Sequence, residues 1–385
     1  MKKITIASDS FKGSLTSAEV AEAFGAGFSE VFPKCIVQKV AIADGGEGTL
    51  DALVSTLGGR YIDIKVTDPL LRPIKARYGL VENDTTAVIE IASASGLTLL
   101  SKEERNPLLT TSFGAGELIA DALRRGARHL LIGIGGSATN DAGVGILRAL
   151  GFRFLDADGK ELAGGGAILE KICSIDDSSA MAELREAEVT VACDVTNPLY
   201  GVKGAAYVFA PQKGADAAMV EQLDRGLRRF AEVVKAHNGA EIAQMAGAGA
   251  AGGIGGGFVA LLGARLERGI DMVLRAIHFD TLIEGSDLVI TGEGRIDSQT
   301  LMGKAPSGVL RVAHAKGIPT IAIGGAVEDC KALRQSDFAA IYPITNGTLP
   351  LEKAMQHDIA TANVKRTAIA IAQQIKSKGF FTSDK

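Results

Sequence analysis

Residues 3–49 read KITIASDSFKGSLTSAEVAEAFGAGFSEVFPKCIVQKVAIADGGEGT, and this stretch decides the fold class. Residues 4–7 are a short apolar run that stops at Ser8-Asp9-Ser10. Thr16-Ser17-Ala18-Glu19 is a capping box, whose hydroxyl and carboxylate satisfy free N–H groups at a helix start. Val20, Phe24, Phe28, Val31 and Phe32 follow at helical spacing, and Pro33 ends the helix. Residues 36–43 predict a second strand, and residues 49–57 a second helix closed by Gly58-Gly59. This strand–helix alternation is the rhythm of a parallel sheet.

Past residue 60 the texture changes. Residues 61–66, 74–81 and 87–91 alternate or are β-branched, with Asp68-Pro69 and Asn83-Asp84 between them, which predicts an antiparallel meander. A helix is expected at 116–125, strands at 130–134 and 188–194, a hairpin turn at Asp158-Gly159 and a helix at 215–237. From residue 288 the βα rhythm returns, with strands at 288–291, 318–323 and 341–344 and helices at 307–315 and 351–376. The pattern predicts an α/β protein: a doubly wound parallel-sheet domain (1–66 plus 272–385) with a second, mixed α/β domain (67–271) inserted into it. Two consecutive domains with a break near residue 150 are the alternative.

Composition bounds the partners. Glycine supplies 47 of 385 residues and proline only 10, with no G-X-Y period, so neither linker nor collagen explains the glycine. A net charge of −4 argues against a nucleic-acid partner or an anionic membrane surface. No run of about 18 apolar residues exists to span a bilayer. The apolar stretch after Lys2-Lys3 is too short for a signal peptide, so a cytoplasmic protein is expected. Cys35, Cys173, Cys193 and Cys330 form no C-x-x-C pair and read as buried apolar thiols. Homo-oligomerisation is left open.

In open parallel sheets, ligands bind beyond the carboxyl ends of the strands. The segments after the terminal-domain strands are Ser8-Asp9-Ser10-Phe11-Lys12-Gly13-Ser14, Asp44-Gly45-Gly46-Glu47-Gly48-Thr49, Gly292-Glu293-Gly294-Arg295-Ile296-Asp297-Ser298 and Gly324-Gly325. Each alone is ordinary turn or N-cap chemistry. Together, opening on one sheet edge, they point to an active site rich in carboxylates, hydroxyls and lysine.

The middle of the chain adds Gly135-Gly136-Ser137-Ala138-Thr139-Asn140-Asp141, between a strand and a helical pattern at 144–150, which reads as a phosphate cradle or an N-cap. Asp194 follows another strand as a cleft-facing carboxylate. Residues 245–268 hold eight glycines, including Gly247-x-Gly249-x-x-Gly252. The preceding 241–246 reads as helical, so the dinucleotide context fails, leaving close packing, a hinge or a mononucleotide phosphate loop. No G-x-x-x-x-G-K-[ST], G-x-S-x-G or H-E-x-x-H occurs, and no histidine lies in a glycine-rich loop. What remains fits phosphoryl transfer.

The strings SDSFKGS (from Ser8), DGGEGT (from Asp44), GIGGSATNDAG (from Gly133), CDVTNPL (from Cys193), APQKGA (from Ala210), GAGAAGG (from Gly247) and TGEGRIDSQTLMGKAP (from Thr291) resemble the bacterial glycerate kinase family, the type of glucarate, galactarate and glyoxylate utilisation. One departure is Ala142, where many members carry a second glycine. The resemblance covers residues 3–375. It implies ATP- and Mg²⁺-dependent phosphorylation of D-glycerate to 2-phosphoglycerate plus ADP, and a second domain inserted in a Rossmann-like one. Other glycerate kinases make the 3-phosphate, so 3-kinase regiochemistry is an alternative.

Chemistry then suggests roles. Lys12, with the backbone at Gly45 and Gly46, suits the glycerate carboxylate, and Ser10 and Ser14 join the substrate site. Asp194 or Asp44 can take the hydroxyl proton. Asp44, Glu47 and Asp297 are candidate Mg²⁺ ligands. Gly135, Gly136, Ser137, Asn140, Gly249, Gly252 and Gly253 are candidates for nucleotide phosphates, with Lys304 for the γ-phosphate and Arg295 as an alternative clamp. Direct in-line transfer in an interdomain cleft is expected. A Rossmann oxidoreductase would need its fingerprint after the first strand, and a non-catalytic small-anion-binding protein would be exported.

Overall fold

The computed structural model describes residues 1–328, 330–345, 347 and 349–378. Its strands are β1 (Lys3–Ser8), β2 (Ile36–Ala41), β3 (Arg60–Thr67), β4 (Pro73–Val81), β5 (Thr86–Glu90), β6 (His129–Gly133), β7 (Arg153–Leu155), β8 (Ser174–Asp176), β9 (Glu188–Ala192), β10 (Arg265–Glu267), β11 (Leu288–Ile296), β12 (Thr320–Val327) and β13 (Ala340–Pro343). The fold is mixed α/β, as expected. One sheet, of order β13-β12-β11-β1-β2, is parallel throughout. A second, of order β10-β9-β6-β5-β4-β3, is antiparallel across β3, β4 and β5 and parallel elsewhere. β7 and β8 pair antiparallel by themselves.

The chain groups into two compact units. The outer one, in sequence, comprises Met1–Asp44, Asp51–Thr56 and Ile270–Lys385, and the inner one Gly45–Leu50 and Leu57–Gly269.

In the outer unit β1 is buried along nearly its whole length, as a central parallel strand requires. Its Ile4 and Ile6 join Leu288, Ile290, Ile321 and Ile323 in a core completed by Phe24, Phe28, Val364 and Ile371. Each such fully buried side chain contributes about 1.5–3 kcal/mol. The capping box forms as read: the Glu19 N–H donates to Thr16 Oγ1 at 3.2 Å, and the Thr16 N–H to Glu19 Oε2 at 2.8 Å. The helix Ser17–Val31 packs against His357–Lys378.

Two strands run further than the sequence suggests. Residues 292–296 and 324–325, expected as loops, continue β11 and β12, with Glu293 opposite Gly324 and Arg295 opposite Ala326. Glycine here permits close strand approach rather than a turn. A Cβ on Gly292 would stand 2.4 Å from the Ile323 carbonyl oxygen, and one on Gly325 2.6 Å from that of Gly294. The last helix is also two pieces, Leu351–Ala354 and His357–Lys378, rather than one.

The inner unit builds the expected meander on β3, β4 and β5, with a core that includes Tyr78, Phe154, Phe230 and Phe258. Residues 241–246, expected as helix, are turns and irregular chain; the helix Ala250–Leu262 follows, kinked at Ala251, Gly252 and Gly253. Most glycines of the run lie in close backbone or side-chain packing. A Cβ on Gly252 would lie 2.1 Å from the Thr139 carbonyl oxygen, and one on Gly257 2.1 Å from that of Ala142. Ala142 is itself left-handed, at φ 52°, a conformation glycine adopts without cost. The cysteines are unpaired, but none is buried: Cys173 is exposed and the other three half-buried, because all sit where the chain enters or leaves a strand or helix. Among the described residues no helix is long and apolar enough to cross a membrane.

Candidate active site

The strand order of the parallel sheet reverses at β1. From β1 the chain steps to β2 on one side, whereas β11, β12 and β13 extend from its other side. Such a switch point opens a crevice beyond the carboxyl ends of the two central strands. A cavity of about 350 Å³ lies in the outer unit at that place. Asp9 follows β1 directly, and its N–H donates to the Gly292 carbonyl of β11 at 2.9 Å, closing the crevice floor.

Six expected site residues meet in this cavity: Ser10, Lys12, Ser14, Asp44, Arg295 and Lys304. Two carboxyls beyond those singled out join them. Asp9 is only 4% exposed, and Glu293 8%. Burial, then the neighbouring Asp44 charge, pushes the Asp9 carboxyl up from 3.8 to about 7, although the Ser10 N–H, 2.7 Å from Oδ1, opposes the shift. Burial likewise raises Glu293, against the Thr300 hydroxyl and the Lys304 ammonium. Lys304 Nζ stands 3.5 Å from Glu293 Oε2. The lysine ends the turn before the helix Ala305–Ala315, with Pro306 in that helix's first turn. A pocket that sets buried carboxyls beside ammonium groups can hold a small polar ligand and exchange a proton with it.

The other candidates fall differently. Arg295 is exposed, with its guanidinium 3.5 Å from Asp297 and 3.3 Å from Glu328. Asp297 caps the short turn Ser298–Met302, its Oδ1 accepting the Gln299 N–H at 2.9 Å. Gly45, Gly46, Glu47 and Asp194 belong to the inner unit. Gly45 is buried, and a Cβ there would lie 2.5 Å from the Gly269 Cα, so it serves a close backbone approach. Glu47 is exposed, and Asp194 Oδ1 accepts the Gly269 N–H at 3.1 Å.

The expected phosphate cradle lies between β6 and the helix Val144–Ala149. Gly135 and Gly136 are exposed after β6, but the helix behind them, Val144–Ala149, is only six residues long. Its start is served by the chain's own carboxylate: Asp141 accepts N–H groups of Gly143 and Gly145, each at 3.2 Å. Ser137 and Asn140 are buried. Gly249, Gly252 and Gly253, also expected at phosphates, are buried, and the Gly249 N–H donates to Asn197 O at 3.0 Å. The Gly253 N–H likewise donates within the unit, to Gly249 O at 3.4 Å.

Lys213 was not singled out by its position in the sequence. It is buried and donates to Ser137 Oγ at 2.8 Å and to Thr139 O at 2.6 Å. Its place in the APQKGA string was the available signal.

A parallel-sheet crevice lined by carboxyls and ammonium groups is the setting of an α/β enzyme. The model of the glycerate kinase family matches residues 4–376. A Bacillus subtilis protein named glycerate kinase is 49% identical over 375 residues, covering 97% of this chain and 98% of its own. An Escherichia coli K12 protein named glycerate 2-kinase is 45% identical over 355 residues, covering 92% and 93%. A crystal structure from Salmonella typhimurium LT2, assigned as glycerate kinase 2, superposes with a TM-score of 0.90 at 45% identity, covering 98% of both chains. The chain belongs to the glycerate kinase family and is, with it, a phosphotransferase.

Proposed function

We propose that the chain transfers the γ-phosphoryl group of ATP to the 2-hydroxyl of D-glycerate, giving 2-phosphoglycerate and ADP, by direct in-line displacement. The observation that carries this reading is the crevice where Asp9, Asp44 and Glu293 share one lining with Lys12, Arg295 and Lys304. The name of the Escherichia coli relative supports the 2-position.

Phosphoryl transfer rests on positioning and charge neutralisation. Lys12 and Lys304 supply positive charge for the glycerate carboxylate and the transferring group. Ser10 and Ser14 offer hydroxyls, and Ser14 Oγ is buried without a hydrogen-bond partner, leaving its donor for a substrate oxygen. Asp9, rather than Asp44 or Asp194, takes the proton of the attacking hydroxyl, because it is the aspartate buried against the crevice floor.

Mg²⁺ takes one or two carboxylates plus phosphate oxygens and waters. Among the described residues no group of three or more His, Cys, Asp or Glu could hold a metal by itself, a cage that Mg²⁺ does not need. The hard oxygen donors of the crevice fit it, with Asp44 as the holding residue. When bound it would neutralise phosphate charge. Asp297, committed to its cap, and Glu47 are weaker ligands.

The division into an inserted inner domain, near 67–271, within an outer Rossmann-like one is part of this reading, with β3 assigned to the inner body. It is supported by the discontinuous outer unit.

The test is ³¹P and ¹³C NMR of the product formed from D-glycerate, ATP and Mg²⁺. Phosphorus coupled to C2 is expected. Phosphate on C3 would make it a 3-kinase, and glycerate binding without ADP would make it a non-catalytic anion binder. Single-turnover kinetics with ³²P-labelled ATP tests direct transfer; a labelled protein intermediate forming and decaying at the catalytic rate would refute it.

A further inference from the structure

Lys213 closes the short turn Pro211–Lys213 in the inner unit, and its side chain runs into the interior. Its ammonium donates to Ser137 Oγ and to Thr139 O, more than 70 residues away in sequence. Among the described residues no carboxylate lies within ion-pair distance of it. Asp141 exerts a favourable charge influence on it, but its carboxylate is held by the Ser112 N–H and hydroxyl, both at 2.8 Å, and by Gly143 and Gly145. An isolated ammonium costs several kcal/mol to bury. Here burial lowers it from 10.5 to about 7. A lysine retained at that cost calls for a reason.

Three observations around it point the same way. The hydroxyl oxygen of Ser137 accepts from Lys213, so its own proton is directed elsewhere. Thr139 Oγ1, both polar atoms of the Asn140 amide and Ser95 Oγ are buried without hydrogen-bond partners. Ser95 borders the same segment, since its carbonyl accepts the Ala138 N–H at 2.9 Å. Buried polar atoms are ordinarily satisfied, so four in one loop neighbourhood mark a place built for a further oxygen-bearing group. The loop's open end is the exposed Gly135-Gly136 turn.

We infer that Lys213 is the positioning residue of an anion site at the Gly135–Asn140 loop, acting through Ser137 on an anionic oxygen of a bound substrate. When protonated, the ammonium behind the loop polarises the Ser137 hydroxyl as a donor and adds positive field in a low-dielectric setting. The oxygen belongs to a nucleotide phosphate or to the carboxylate of the three-carbon acid. Both sources rest on the kinase reading above, whereas the anion site itself does not.

The test is calorimetric titration of the full chain with ADP, D-glycerate and inorganic pyrophosphate. It is run on the parent protein and on the Lys213→Met and Ser137→Ala variants, with melting curves alongside. Lys213→Met is expected to weaken one of ADP or D-glycerate at least tenfold and leave the other within twofold. In kinetics the KM for that substrate rises by the same factor, while kcat changes less. Loss of ADP and pyrophosphate together assigns the phosphate; loss of D-glycerate alone assigns the carboxylate. Should Lys213→Met fail to fold, Ser137→Ala, which keeps the Lys213–Thr139 bond, is expected to weaken the same ligand at least threefold. Affinities within twofold of the parent in a folded variant would overturn the inference. A parent that binds pyrophosphate but neither ADP nor D-glycerate would refute the kinase reading while leaving Lys213 testable on pyrophosphate. A parent that binds none of the three overturns both.

Discussion

The Thr300 hydroxyl donates to Glu293 Oε1 at 2.6 Å, inside the crevice that Lys304 approaches from the other carboxylate oxygen. Hydrogen bonds to charged groups are worth about 1.5–3 kcal/mol, and an abandoned buried carboxylate loses that stabilisation outright. Thr300→Val is therefore expected to lower stability by about that amount. It should also raise the Glu293 carboxyl further, since the hydroxyl is the largest influence holding it down. Chemical denaturation checks the first effect. An unchanged midpoint would show that Thr300 contributes nothing there.

Asp9 carries a signed pH prediction. Its carboxyl sits near 7 in the folded protein against 3.8 ordinarily, so between those values the folded state holds a proton the unfolded state has lost. Stability contributed by Asp9 is present below about pH 4 and is lost as pH rises through 7. Asp9→Asn removes that loss. With magnesium chelated, the variant should gain up to about 4 kcal/mol on the parent between pH 4 and pH 8. Its kcat should fall by at least about 100-fold, the usual size of an acid–base contribution. Parallel stability curves for variant and parent would remove the buried-carboxyl explanation.

Lys12 is exposed at the cavity rim, where truncation costs no packing. Lys12→Ala should lower kcat/KM by more than about tenfold, equivalent to about 1.4 kcal/mol of lost transition-state stabilisation. Melting temperature should stay unchanged. Full activity would place Lys12 outside the site.

Gly257→Ala separates packing from hinge. The new methyl would meet the Ala142 carbonyl at 2.1 Å, a backbone atom that cannot step aside cheaply. A destabilisation of about 1–3 kcal/mol or more is expected in thermal melts. A hinge would instead leave the melt untouched and slow turnover.

The sequence was most legible where local chemistry decides the structure. The Thr16–Glu19 box and the helix Thr49–Leu57 with its closing Gly58 follow from cap chemistry within a few residues. The meander of β3 to β5 follows from alternation and turn residues. Legibility failed where distant chain segments decide. Gly292, Gly324 and Gly325 read as loop because glycine usually ends a strand, yet here each makes room for the neighbouring strand. Asp9 and Lys213 stand out only through burial, and no local pattern announces a buried aspartate or a buried lysine. Asp141 shows the same limit: that its carboxylate would serve the start of the helix Val144–Ala149, by accepting the Gly143 and Gly145 N–H groups, is not announced by the loop's composition.

The position of β1 also sets the order in which the protein can be made. Ile4 pairs with Val37 on one side and with Leu288 on the other, so this interior strand of the parallel sheet waits for a partner synthesised roughly 280 residues later. At about 5–20 residues per second that is a delay of roughly 15–60 s. Throughout it Ile4 and Ile6 sit on a strand with one open edge. The six strands of the inner sheet are all complete at Glu267, before β11 leaves the ribosome. Birth order thus lets the inner sheet assemble before β1 gains its second neighbour.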